Sequence, residues 1–171
     1  MMNPAALIAF PLILVHMGVP TTIKLGPSHP VTIRADKAYD LAYAAVEAEL
    51  PNTPRSDKDI WVLRLWGWSG PESGWQTNAM GDCTDNANRS VSTCRSLGVM
   101  QTMDPERWGF TRVEVLADGV IGYRVGLRIM RYAIAKCGGV ASGLGMYASG
   151  NCGWAQALVK TRCKLIGDEC K

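Results

Sequence analysis

Histidine is almost missing from this chain: His16 and His29 are the only two in 171 residues, and both lie far upstream of every cysteine. With no His near a Ser or Cys nucleophile and no G-x-S-x-G elbow, serine and cysteine hydrolase chemistry lacks its base and its nucleophile turn. The six cysteines contain no C-x-x-C pair and have no histidine nearby, so the ligand spacing of a zinc site is missing too. No metal and no cofactor are expected. Charge is also sparse, at 19% of residues with a net +3. That balance mildly favours an anionic polymer, but the clustered basic stripe of a nucleic-acid binder is missing, which excludes nucleic acid as a partner. No internal repeat or low-complexity tract breaks the chain.

What remains is a globular composition, 47% apolar, at a length that suits one domain with a proper core. The apolar run of residues 5–19, AALIAFPLILVHMGV, has the length of a signal-peptide core and is too short for a comfortable membrane span. No Lys or Arg precedes it, Pro11 interrupts it and no A-x-A site follows. A secretory signal is favoured over a buried strand or an anchor, and membrane contact is expected only through this segment. TTIKLGPSHPVTIR, which follows, carries two β-branched stretches around a Gly-Pro turn and reads as a hairpin or a linker. Residues 1–34 are thus set apart from a domain over 35–171.

Cys83, Cys94, Cys137, Cys152, Cys163 and Cys170 fit disulfides formed in an oxidising compartment better than buried thiols. Connectivity does not follow from sequence alone. Loop-closure entropy favours near neighbours, which suggests Cys83 with Cys94, Cys137 with Cys152, and Cys163 with Cys170.

From residue 35 the pattern is helical. Ala38, Leu41, Ala42, Ala45 and Val46 recur at helical spacing until Pro51 stops the run. Ser56 with Asp59 reads as a capping box opening the helix DIWVLRLW. Thr111 with Glu114 reads as another, opening one long segment over residues 113–136 that ends at Cys137, Gly138 and Gly139. Gly122 and Gly126 are spaced for a close helix contact and are assigned to the core. Two further helices are expected at GVASGLGMYAS and GWAQALVKTRCKL, and a polar loop at TNAMGDCTDNANRSVSTCRS. A G-x-G-x-x-A match at Gly143, Gly145 and Ala148 has no preceding strand, and the sequon at Asn88 has meaning only in a eukaryotic secretory pathway. The expected class is mainly α, with a loop-lined groove and disulfide staples.

Three segments carry the chemistry: GPESGW with Glu72 at its centre, then LGVMQ, then MYASG ending at Gly150. A lone carboxylic acid set among Trp66, Trp68 and Trp75 would be poorly solvated, which favours its protonated, proton-donating form. In this order the segments resemble the lysozyme-like lytic transglycosylases over roughly residues 58 to 160. Glu72 and Ser73 match the family's catalytic acid and its following Ser, with Trp75 where an aromatic is usual. Gly98, Val99, Met100 and Gln101 match the Gly-Leu-Met-Gln turn, and Tyr147 and Gly150 match the last motif. Two departures stand out. Ala148 replaces the family's Asn, and Pro71 precedes the acid, where it would kink or stop the helix near Gly67.

The resemblance implies a peptidoglycan-cleaving enzyme with a lysozyme-like fold, acting on the β-1,4 bond between N-acetylmuramic acid and N-acetylglucosamine, with Glu72 catalytic. Ser73, Trp75, Gly98, Met100, Gln101 and Tyr147 would bind substrate: Trp75 and Trp108 as stacking faces, Tyr147 as a hydroxyl aimed at the acid or the sugar. Peptidoglycan strands are the expected partner of a monomer that is periplasmic, extracellular, virion-associated or released by a phage holin. A muramidase needs a second carboxylate, and the GDC and LGVMQTMD segments are faintly similar to goose-type lysozyme. Asp82, Asp85 and Asp104 are the candidates, but their neighbours read as loop and cap chemistry and none is expected to be required. A catalytically weak wall-binding or virion module that kept the fold is the reading from another class.

Overall fold

Pro30 opens the first helix. The computed structural model describes residues 30–153, 156–167 and 170, so the apolar run of residues 5–19 lies outside them. Helix α1 spans Pro30–Glu49. A proline at the first helical position loses no hydrogen bond and presets φ. The β-branched residues Val31, Thr32 and Ile33, expected in a hairpin or linker, are therefore the first turn of a helix. Ala35, Ala38, Tyr39, Ala42, Ala45 and Val46 form the buried stripe of α1.

Helix α2 spans Arg55–Ser73. Its N-cap is Pro54, which makes no side-chain cap bond. The expected Ser56 and Asp59 box does not form, because the helix starts two residues earlier, capped at Pro54, and Asp59 is bonded to Arg55 Nε at 2.8 Å. The expected stop near Gly67 is also absent: α2 runs through Pro71 to Ser73. A helix-interior proline costs about 3 kcal/mol, but Trp66, Trp68 and Ser69 immediately before it are fully buried. Burying a large apolar side chain returns about 2 kcal/mol each. Packing outweighs the local break.

The polar segment expected as a loop contains a two-stranded antiparallel hairpin, β1 (Met80–Cys83) and β2 (Cys94–Leu97). Cys83 and Cys94 face one another in its register and are joined as a disulfide. Strand pairing and cross-link reinforce each other here. A single 3-10 turn (Pro105–Trp108) follows, and then α3 (Arg112–Ala117). Thr111 and Glu114 do form a capping box. The helix they open is short, however, because Asp118 leaves the helical region and caps α4 (Gly119–Cys137) by accepting from Val120 N at 2.8 Å. Gly138, at φ 72°, closes α4. Helices α5 (Val140–Ser149) and α6 (Gln156–Leu165) complete the order.

Helix α4 is the centre of the fold and packs on α1, α2, α3 and α5, while α6 lies against α5 and α2. The core joins Tyr39, Leu65, Trp66, Tyr123, Leu127, Met130 and Leu144. Trp66 and Trp75 stack with centroids 5.7 Å apart, worth about 1 kcal/mol beyond the area they bury. Partly buried Glu49 accepts from Arg124 Nε at 2.7 Å and Arg128 Nε at 2.8 Å. Burial opposes ionisation there, but the two guanidiniums outweigh it and hold the Glu49 carboxyl below the usual range.

Cys137 pairs with Cys152 and Cys163 with Cys170. The molecule is therefore mainly helical with three disulfides, which is compatible with a secreted protein. Among the described residues no helix is long and apolar enough to cross a membrane. Non-reducing peptide mapping should recover Cys83 joined to Cys94. Free thiols at both positions would show that the hairpin closes without its staple.

Candidate active site

Glu72 sits in the last turn of α2, where the helix has to end. Gly74 terminates it in the left-handed region at φ 62°, its N–H returning to Gly70 O at 2.8 Å. Trp75 follows with φ 60°, unfavourable for a bulky residue. Its indole is held by the stack on Trp66 and by donating to Trp66 O at 3.0 Å. That geometry turns Trp75 inward. It is 2% exposed, so the aromatic expected as a sugar platform is core, and the reason is the backbone reversal at Gly74. Trp66 and Trp68 are fully buried as well.

The second segment is a tight turn. Leu97 and Thr102 pair across it, with N–H···O bonds of 3.0 and 2.9 Å. Gly98 takes φ 71°, and a Cβ there would lie 2.8 Å from Val115 Cγ1. Met100 is 1% exposed and packs onto Gly126, where a Cβ would meet its Cγ at 2.7 Å. Gly122 and Gly126 of α4 thus make room for this turn, not for a neighbouring helix. Gly98 and Met100, expected to bind substrate, are buried and build the site from beneath.

Two hydroxyls lock the turn in place. Ser73 Oγ lies within bonding distance of Val99 O (2.8 Å) and of Ser69 O (3.0 Å). Tyr147 OH donates to Met100 O at 2.5 Å. The Tyr147 hydroxyl, expected to aim at the acid or a sugar, is spent on the backbone. Burial first, and then the nearby Glu72 charge, push its phenol well above the usual range, with Arg162 opposing. Deeper in the core, Ser69 Oγ and Tyr123 OH share a 2.7 Å bond, and burial raises the Tyr123 phenol too.

Glu72, Ser73 and Gln101 line a cleft of about 580 Å³ together with Pro71, Met80 and Arg162. Gln101 donates to Gly98 O at 2.9 Å, and its amide oxygen lies where a Cβ on Gly81 would have to be. The same Gln101 lines an adjoining, more apolar cavity of about 290 Å³ with Met103, Trp108, Tyr132, Met146 and Tyr147. Trp108, expected as a stacking face, sits there edge-on to Tyr132 at 5.6 Å.

Arg162 is the residue the sequence did not announce. It comes from α6, ninety positions beyond Glu72, and its Nη1 is ion-paired with Glu72 Oε1. Its guanidinium lies 5.0 Å over the Trp68 ring. Nothing in the local sequence separates it from Lys160 or Lys164, which share its helix, because the pairing depends on how α6 docks.

Of the other acids, Asp82 bonds Ser96 Oγ. Asp85 accepts from Ala87 N, Asn88 N and the Asn88 side chain, which hold its carboxyl below the usual range. Asp104 is exposed and borders only the apolar cavity. Glu72 is thus the one carboxylate lining the polar cleft among the described residues. Among those residues no cluster of His, Cys, Asp and Glu could hold a metal ion. No family model, curated protein or solved structure matches the chain.

Proposed function

We propose that this chain is a peptidoglycan lytic transglycosylase with a lysozyme-like fold, cleaving the β-1,4 bond between N-acetylmuramic acid and N-acetylglucosamine. One observation carries the reading. Glu72 with Ser73, the Gly98 to Gln101 turn and Tyr147 are far apart in sequence, yet hydrogen bonds from Ser73 and Tyr147 tie them together, with Glu72, Ser73 and Gln101 lining one cleft and Gln101 and Tyr147 the adjoining cavity. The adjoining apolar cavity extends that cleft as a polymer would require. Glu72 gives its proton to the glycosidic oxygen as the bond to the anomeric carbon breaks, and the substrate's own acetamido oxygen bonds to that carbon. The Glu72 carboxylate then takes the proton of the sugar's 6-hydroxyl, whose oxygen displaces the acetamido group. An anhydro ring closes, and no water is consumed.

The acid inventory favours this over a muramidase. A hydrolase uses a second carboxyl about 5 to 5.5 Å away as a nucleophile, or about 6.5 to 9.5 Å away as a base, and Asp82, Asp85 and Asp104 do not line the polar cleft. Mass spectrometry of digested muropeptides tests it: anhydro ends, lighter by one water, are expected from the first time point. Reducing ends formed from the start would mean hydrolysis. Ala148, in place of the family's Asn, favours one further reading, a catalytically weak wall-binding module. A zymogram on purified cell walls that shows no clearing would select it.

A further inference from the structure

Burying a charge is expensive, several kcal/mol even after relaxation, and Arg162 is buried at an additional cost. Its side chain is 9% exposed, and its Nε is enclosed with no hydrogen-bond partner among the described residues. The N–H of the Trp68 ring beneath it is likewise buried without a partner among them. As a stability device this is poor, because a buried ion pair is often no better than a well-packed apolar pair. The arrangement does provide a fixed geometry. Trp68 backs the guanidinium, and the adjacent Cys163 ties the end of α6 to Cys170. The guanidinium engages Oε1 of Glu72, whereas Oε2 makes no hydrogen bond among the described residues.

We propose that Arg162 is a positioning residue for Glu72: it clamps Oε1 and turns the carboxyl so that Oε2 alone exchanges protons with substrate. The inference rests on the transglycosylase reading of Glu72. Both half-reactions then use one oxygen, first as the donor to the glycosidic oxygen and then as the acceptor from the 6-hydroxyl. A carboxyl free to rotate in the open cleft would present either oxygen at random, and small misplacements of a reacting group carry large rate costs.

Steady-state kinetics on solubilised peptidoglycan test this with Arg162→Met and Arg162→Lys, run beside Glu72→Gln. Methionine keeps an apolar stem against Trp68 and lacks the clamp, so kcat should fall about a hundred-fold with KM and sedimentation with purified cell walls little changed. Lysine restores a point charge without the fork, so part of kcat should return. Wild-type kcat in a folded Arg162→Met protein, or a loss confined to KM, overturns the clamp. So does failure of both Arg162 variants to fold, which would make Arg162 structural. If Glu72→Gln stays active, the reading of Glu72 fails first, and the clamp with it. If Glu72→Gln is inactive while Arg162→Met is not, only the clamp fails.

Discussion

Glu72→Gln should lower lysis of purified peptidoglycan by about a hundred- to ten-thousand-fold, the range general acid catalysis supplies, with the fold retained. The amide keeps the shape of the carboxyl but has no acidic proton to give and cannot take one from the 6-hydroxyl. Both half-reactions fail together, so no partial product should accumulate. Stability should fall as well, though by less than the loss of the whole partner would cost: the amide oxygen can still accept from Arg162, but the buried guanidinium loses its countercharge, at about 2 kcal/mol. Turbidity clearing measures the first quantity and a thermal melt the second. Near wild-type clearing by a folded Glu72→Gln protein would remove Glu72 from the mechanism.

Gly143→Ala should be the most damaging single-methyl change in the core. A Cβ at Gly143 would stand 2.3 Å from Ile134 Cα and 2.5 Å from Ile134 N. Those are backbone atoms of α4, so no side chain can swing aside and the two helices must separate. Overpacking of this kind costs about 3 kcal/mol, against roughly 1 kcal/mol gained by replacing a helical glycine with alanine. The net loss of about 2 kcal/mol should lower the melting temperature by about 6 °C. Activity should fall as well, because α5 carries Tyr147, whose hydroxyl fixes Met100 O at the edge of the cleft. An unchanged melt would show that α4 and α5 are spaced more widely than this.

The contrast between Gly126 and Gly143 shows how packing distributes its demands. At Gly126 the nearest atoms are Met100 Cγ and Cβ, near the root of a buried side chain, whereas at Gly143 they include the Ile134 backbone. A methyl at the first presses on a side chain, and at the second on the helix itself.

Features set by near neighbours could be read from the sequence. The Thr111 and Glu114 capping box, the left-handed Gly138 that closes α4, the helical stripe from Ala38 to Val46 and the near-neighbour pairing of the cysteines depend on contacts within a few residues or on short loops. Glu72, Ser73 and Gln101, chosen from the resemblance and not from local pattern, line one cleft. Features set by competition between local preference and burial could not be read. Pro71 should have ended α2 and did not, Val31 to Ile33 are helical despite their branching, and the Cys83 to Cys94 loop closed as a hairpin. Trp75 turned inward after the backbone reversal at Gly74, and Met100 packs into the room left by Gly126, both facts of three dimensions. Arg162 was the least legible residue of all. Its place beside Glu72 depends on α6 docking ninety residues later in the chain, and no local pattern encodes a meeting between two side chains that only the completed core brings together.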